Sequence, residues 1–251
     1  MGVAISVAII TKNEEEMLPK TLEAIQDLAN EIVIVDSFST DKTKEIALSY
    51  KARFFENKWE GFSNQKNFLI DKCQGDWILL IDADELVSKN LKKEILEAIQ
   101  SNKYQMFEFL FHSYCYGKLV QYGGWSGFYK IRLFKKGAAR FGKERVHEKF
   151  IYNENISIGR LKEPLQHYTY LSMDETIEKM NSYSTASSLD AFSKQKKSSI
   201  LKVIFSPILM FLKAYILKLG FLDGFRGFIL AIVNAIYHFL KYSKLYLLNE
   251  K

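Results

Sequence analysis

"LLIDADELVS", residues 79–88, decides how this chain is read. Leu79, Leu80 and Ile81 form an apolar run suited to a core. It runs straight into Asp82, Asp84 and Glu85, with only Ala83 between the first two. Buried chain does not end in clustered negative charge without a cation nearby. In extended backbone, residues i and i+2 project to one side. Asp82 and Asp84 are therefore expected to address one divalent cation, with Ala83 pointing away and Glu85 facing the other side. Hard cations such as Mg2+ or Mn2+ take oxygen ligands, and Mg2+ commonly combines one or two carboxylates with substrate phosphates. A bare Asp-x-Asp also occurs in many surface turns. What favours the metal reading is its place at the end of a buried strand, beside two other polar strand ends.

Those strand ends come from a regular alternation around the motif. "VAISVAII" and "EIVIVD" read as buried strands, "ARFFE" as a short one and "DWILLIDAD" as another. Between them lie helical segments: "EEMLPKTLEAIQDLA", with Pro19 in its first turn, then "STDKTKEIALSY", capped by Ser39 or Thr40, then "FSNQKNFLIDKC". "LKKEILEAIQ", opened by Ser88, follows the last strand. Apolar strands alternating with such helices predict βαβ units and a mainly parallel, Rossmann-like α/β sheet flanked by helices. Ligands in these sheets sit at the carboxyl ends of the strands, where "TKNEE", "VDSFST" and "IDADE" fall. From Tyr104 to Tyr170 the texture becomes aromatic and β-rich, as expected of strands and loops that complete the sheet. "SMDETIEKMNSYSTASSLDAFSK" reads as an amphipathic helix.

With 48% hydrophobic and 25% charged residues the chain is globular and not disordered. Cys73 and Cys115 lack a CxxC spacing and are expected to be reduced thiols in a reducing compartment. Gly2 to Ile10 is too short, and too poor in basic flanks, to read as a signal peptide. Positive charge is concentrated late. Residues 192–251 hold ten Lys/Arg against Asp223 and Glu250, which leaves the first 191 residues net negative. A segment both basic and apolar points to a membrane surface and not to nucleic acid. The expected division is a catalytic domain over residues 1–197 and a helical extension over residues 198–251. Gly227 to Leu240 is the longest uncharged run, short of the ~20 residues a span needs. At helical spacing Arg226, Asn234, His238, Lys241 and Lys244 share one face. The expectation is an amphipathic helix lying in the bilayer interface. The competing reading is a helical pair packed on the catalytic domain or on a second subunit of a homo-oligomer.

Other polar residues near the strand ends each carry two readings. Asp36 suits a ribose or base, or else caps the next helix. Thr11 and Asn13 suit a nucleobase, and Glu14 beside them competes with a plain role at a helix N-terminus. Lys66 offsets a diphosphate or sits on a solvated helix face.

Taken together, "AIITKNEEEMLPKTLEAI", "EIVIVDSFSTDKT", "GFSNQKN" and "GDWILLIDADELVS" resemble the family 2 glycosyltransferases. More narrowly, with "YGGW", "IRLFKK", "RVHEKF" and "GFLDGFRGF" in matching order, the chain is similar to the bacterial lipopolysaccharide core β-1,4-glucosyltransferases of the WaaE type. The resemblance implies a GT-A fold, a nucleotide-sugar donor such as UDP-glucose, a divalent metal (Mg2+ or Mn2+) and inversion at the transferred sugar. It places Thr11, Asn13, Glu14, Asp36, Lys66 and Asp82 around the nucleotide-sugar, and Asp84 with Asp82 at the metal. No "QxxRW" is present, consistent with addition of a single sugar. Inversion needs a base for the acceptor hydroxyl. "RVHEKF" offers Glu148 for that role, with His147 as metal ligand or phosphate partner. Arg132 contacts phosphate or orients the base, against a structural salt bridge. Trp125 stacks on an acceptor sugar, against plain core packing. The implied acceptor is a lipid-linked saccharide, inner-core heptose in the resemblance, met at the inner face of the cytoplasmic membrane. A polyprenyl-phosphate, capsular or protein-linked glycan acceptor is the alternative. A catalytically silent nucleotide-sugar binder is the reading from another class.

Overall fold

The computed structural model describes residues 4–142 and 150–250. It divides into two compact units, residues 1–111 with 129–167 and residues 112–128 with 168–251. The second unit thus gathers the aromatic 112–128 segment and everything from Tyr168 onward.

The first unit begins as the alternation predicts. β1 (Ile5–Thr11) is buried along its whole length, and α1 (Leu18–Ile25) accepts Pro19 in its first turn, where the missing N–H has no helical partner to lose. β2 (Glu31–Asp36) follows, then α2 (Thr43–Ser49). Neither Ser39 nor Thr40 caps α2. Ser39 is drawn onto Asp36, and the Asp41 carboxylate takes the Thr43 N–H at 3.0 Å instead. β3 (Arg53–Glu56), α3 (Phe62–Lys72) and β4 (Trp77–Asp82) complete three crossovers. β1 is parallel to β2 and to β4, and β2 is parallel to β3. Their register sets Thr11 beside Asp36 and Ile10 beside Asp82, so the polar ends of the strands lie in one row.

β4 ends at Asp82. Ala83 and Asp84 form a turn, and extended backbone resumes in the short β5 (Glu85–Leu86). The same-side argument for Asp82 and Asp84 therefore fails at its premise, because Asp84 is not in the strand. α4 (Lys89–Gln100) is opened as expected by Ser88, whose Oγ accepts the Leu91 N–H at 3.1 Å.

The β-rich stretch supplies β6 (Met106–Cys115), β7 (Lys118–Val120), β8 (Tyr129–Lys135), β9 (Ala139–Phe141), β10 (Phe150–Tyr152), β11 (Ile158–Arg160) and β12 (Leu165–Tyr170). β8 inserts antiparallel between β4 and β6, giving the order β3-β2-β1-β4-β8-β6. Beyond these, β12 pairs antiparallel with β5, setting His167 opposite Glu85. One face of the sheet buries Ala8, Val33, Ile78, Leu80 and Phe134 against Leu69 and Ile70 of α3. This core holds the strand ends at fixed spacing.

In the second unit, β6 and β7 form a hairpin at Ser113–Val120. α5 (Met173–Ser193) is capped by Ser172, whose Oγ accepts the Glu175 N–H. α6 (Ile200–Leu212) runs through a π-turn (Lys213–Leu217) and a short 3-10 turn (Gly220–Asp223) into the 26-residue α7 (Gly224–Asn249). A Cβ at Gly227 would collide with the Gly220 carbonyl, so the first turn of α7 can close onto that turn only with glycine. The polar face predicted for the tail faces protein. Tyr237 meets Ser187 at 2.7 Å, and Lys244 donates to Asn181, Ser184 and Thr185 of α5 at 2.7–3.0 Å. The opposite face of α7 exposes Phe225, Phe228, Ile232, Ile236 and Phe239 in one stripe, and α6 buries no residue at all.

Candidate active site at the ends of the parallel strands

Three carboxylates and two cations meet where β4 ends. Arg132, buried on β8, donates from Nη2 to Asp82 Oδ2 at 2.8 Å, and the same nitrogen bonds the Glu85 carboxylate. Glu85 is fully buried, and its other oxygen accepts the Asp82 N–H at 3.0 Å. The expectation that Glu85 faces away from its neighbours is thus reversed. The turn at Ala83–Asp84 swings the chain round, so Glu85 folds back under Asp82. Thr21 of α1 pins that turn from below, donating to the Ala83 carbonyl at 2.6 Å.

Lys66 is almost fully buried, so the solvated-face alternative does not hold. Its ammonium lies 3.4 Å from Asp82 Oδ1 and within 5.8 Å of the Phe62 and Phe141 ring centres. His167 reaches Asp84, Nε2 to Oδ2, at 3.5 Å. Burial alone would lift the Asp82 carboxyl, but the charges of Lys66 and Arg132 outweigh it and hold Asp82 well below the usual carboxylate range. Burial pushes Glu85 up, against the pull of Arg132. Burial would lower His167, yet the Asp84 carboxylate, with Glu85 and Asp82 behind it, holds the imidazole above its ordinary value.

On the next strand end, Asp36 is buried and accepts from Thr11 Oγ1 at 2.7 Å and from the Ser39 N–H and hydroxyl, each at 2.6 Å. Asn13 stands in left-handed backbone at φ 54° and accepts the Thr40 N–H at 2.8 Å. The Glu14 N–H donates to Thr43 Oγ1 at 2.8 Å. These bonds tie the loops after β1 and β2 into one shelf, which brings Thr11, Asn13, Glu14 and Asp36 together. Trp125 belongs to the second unit, where it packs edge-on to Tyr170 at 5.6 Å and beside Cys115, Val120 and Leu230. Glu148 and His147 lie outside the described residues.

A resident cation has a partial fit. Among the described residues no three His, Cys, Asp or Glu groups gather closely enough to cage an ion. Asp82 Oδ1 is nevertheless a buried oxygen that accepts no hydrogen bond, with the Lys66 ammonium 3.4 Å away as its ion-pair partner, and Asp84 adds a second carboxylate on the adjoining turn. Two hard oxygen donors suit an ion that completes its shell with water and phosphate, and do not suit a closed protein cage.

Sequence reasoning missed Glu85 and His167 as members of this cluster. Glu85 carried a signal, a third carboxylate after the same apolar run, but the assumed strand period turned it away. His167 lies about eighty residues on, and only the pairing of β12 with β5 reveals it.

Residues 6–149 match the family described as glycosyl transferase family 2. The lipopolysaccharide core biosynthesis glycosyltransferase LpsC of Rhizobium meliloti is 33% identical over 249 residues, covering 96% of this chain and 92% of LpsC. An uncharacterized glycosyltransferase of Rickettsia typhi is 32% identical, covering 98% of this chain and 88% of its own. Among solved structures, that of S. aureus TarS 1–349 in complex with UDP superimposes with a TM-score of 0.50 at 16% identity. It covers 98% of this chain and 90% of the other, a likeness of fold.

Proposed function

The chain belongs to glycosyltransferase family 2, with a GT-A-like mixed sheet, and we propose that it moves one hexose, glucose from UDP-glucose, onto a lipid-linked saccharide. The observation that carries this reading is the cluster of Asp82, Asp84, Lys66 and Arg132 at the end of β4. A site for a sugar diphosphate needs fixed positive charge beside carboxylates; what supports the reading is Lys66 and Arg132 against Asp82, with Asp84 on the adjoining turn. The identity to LpsC, named for lipopolysaccharide core biosynthesis, supports an acceptor of the lipopolysaccharide core kind, and inner-core heptose is the acceptor proposed within it.

In this reading the shelf of Thr11, Asn13, Glu14 and Asp36 receives the nucleoside, and Lys66 and Arg132 offset the diphosphate charge. Asp82 and Asp84 are the residues that would hold Mg2+ or Mn2+, and the ion would supply charge stabilisation to the departing diphosphate. Arg132 is held in place by Glu85, so its guanidinium is pre-oriented before the donor arrives. Glu148 accepts the proton of the attacking acceptor hydroxyl, with His147 beside it in sequence, and Trp125 offers an apolar face to an acceptor sugar. Inversion follows from attack opposite the leaving group. The enzyme works at the inner face of the cytoplasmic membrane, where such an acceptor is presented.

The test is a donor panel assayed with isolated core saccharides, with product read by mass. Hexose gain from UDP-glucose supports the proposal. Gain from another donor, or onto a polyprenyl phosphate only, replaces its substrate half, and donor binding without transfer to any acceptor overturns it.

A further inference from the structure

α6 and α7 together with their turns are both long and apolar enough to cross a bilayer, and α6 has no fully buried residue. The contacts of α7 argue against crossing. Near its start Arg226 donates to the Tyr116 carbonyl at 3.4 Å, and the Asp223 carboxylate takes the backbone N–H groups of Gln121 and Tyr122 at 3.1 and 2.8 Å. The Lys218 carbonyl accepts the Gly123 N–H at 2.9 Å. Near its end Lys244 is tied to α5, and Asn249 accepts the Ser198 N–H at 3.0 Å. These tethers are about 18 residues, roughly 27 Å of helix, apart, close to the ~30 Å of a hydrocarbon core. A spanning α7 would carry one tethered polar segment to the far side and drag α5, with Asp174, Glu175, Glu178 and Asp190, into the hydrocarbon.

The exposed stripe of α7 recurs at helical spacing about half a turn from the face that packs on α5. Ile204, Ile208, Leu212 and Ile216 continue an exposed stripe along α6 and its π-turn. Lys202, Lys213 and Lys218 punctuate this apolar surface and are all exposed. An apolar stripe set among lysines complements anionic headgroups over hydrocarbon.

We infer that α6 and α7 form an in-plane docking surface for an anionic bilayer, with both stripes entering one leaflet and neither helix crossing. The inference rests on the membrane part of the function proposed above and not on the transfer chemistry. Binding is therefore read without donor or acceptor, and its failure leaves the transferase assignment standing.

The test uses the purified full chain and sedimenting vesicles of phosphatidylcholine, with and without a quarter phosphatidylglycerol. The expected result is binding to the anionic vesicles and at least about tenfold weaker binding by Leu209→Asp/Phe225→Asp, two exposed positions. Should that variant misfold by circular dichroism, Lys202→Glu/Lys213→Glu replaces it and is expected to lose the preference for anionic vesicles. Topology is read by a membrane-impermeant maleimide on Leu222→Cys and Glu250→Cys in inverted vesicles and in spheroplasts. Both positions are expected to label in inverted vesicles only. Labelling from opposite sides overturns the in-plane arrangement in favour of a span. Absence of vesicle binding overturns the lipid partner, whether sedimentation then finds a dimer sealed through this face or a monomer.

Discussion

Arg132 and Asp82 meet at 2.8 Å, Nη2 to Oδ2, with the buried Glu85 carboxylate on the same nitrogen. One guanidinium is thus shared between a carboxylate open to the site and one sealed beneath it. Glu85 anchors the arginine, and Asp82 is the side on which a ligand can compete. The negative strand end that looked out of place after an apolar run is neutralised by the protein itself, through Arg132 and Lys66.

Glu85→Ala should destabilise the fold by about 3–5 kcal/mol, because it leaves a buried guanidinium with one half-exposed partner. Urea denaturation measures this. A loss under about 1 kcal/mol, the scale of a surface pair, would show that Glu85 does not hold the arginine.

Asp84→Ala is expected to lower transfer by about a hundredfold or more, the scale of a lost electrostatic stabiliser in a transition state. Its stability should fall as well, since the change also removes the carboxylate that pairs with His167 at 3.5 Å, but the fold should remain intact. Steady-state assay beside thermal melting separates the two. Full activity in this variant removes Asp84 from the metal site.

Lys66→Ala should weaken UDP binding about tenfold, the value of one hydrogen bond to a charged group. Titration calorimetry with UDP and Mg2+ reads it directly. An unchanged Kd would reduce Lys66 to a neutralising partner of Asp82.

Glu148→Gln should keep UDP affinity and abolish transfer, as expected of a base that acts on the acceptor alone. Equal loss of both would point to a structural role.

Burial, with Glu31 nearby, pushes the Cys73 thiol up to about 12, and burial with Asp223 nearby does the same for Cys115. A thiol raised in the folded state contributes stability that is full below its unfolded value near 9, and that is lost as pH rises from there toward 12. Native protein should therefore resist a thiol reagent at pH 8 and react on denaturation. The urea midpoint should fall above about pH 9. Prompt labelling of the native protein contradicts this.

Local pattern carried the first hundred residues far. Strands of four to seven residues, helices between them and Ser88 as a cap follow from apolar periodicity and side-chain capping, which depend on neighbours a few residues apart. The row formed by Thr11, Asp36 and Asp82 was legible for the same reason, since parallel strands put their carboxyl ends on one edge. The strand period misled at Ala83, where one turn reversed the side on which Glu85 lies. The cap of α2 went to Asp41 because Asp36 had already engaged Ser39.

By itself, then, the sequence determined the α/β alternation, the family and the row of strand ends that carries Asp36 and Asp82. Tertiary structure alone decided which side chains answer them. Arg132 and His167 reach the site from strands about fifty and eighty residues away, and no local period encodes such a register. It also decided which way the tail faces. A helical wheel separates polar from apolar residues but does not say which side meets protein. Here Lys244 and Tyr237 turn inward onto α5, where their hydrogen bonds are satisfied, and the aromatic stripe is left outside.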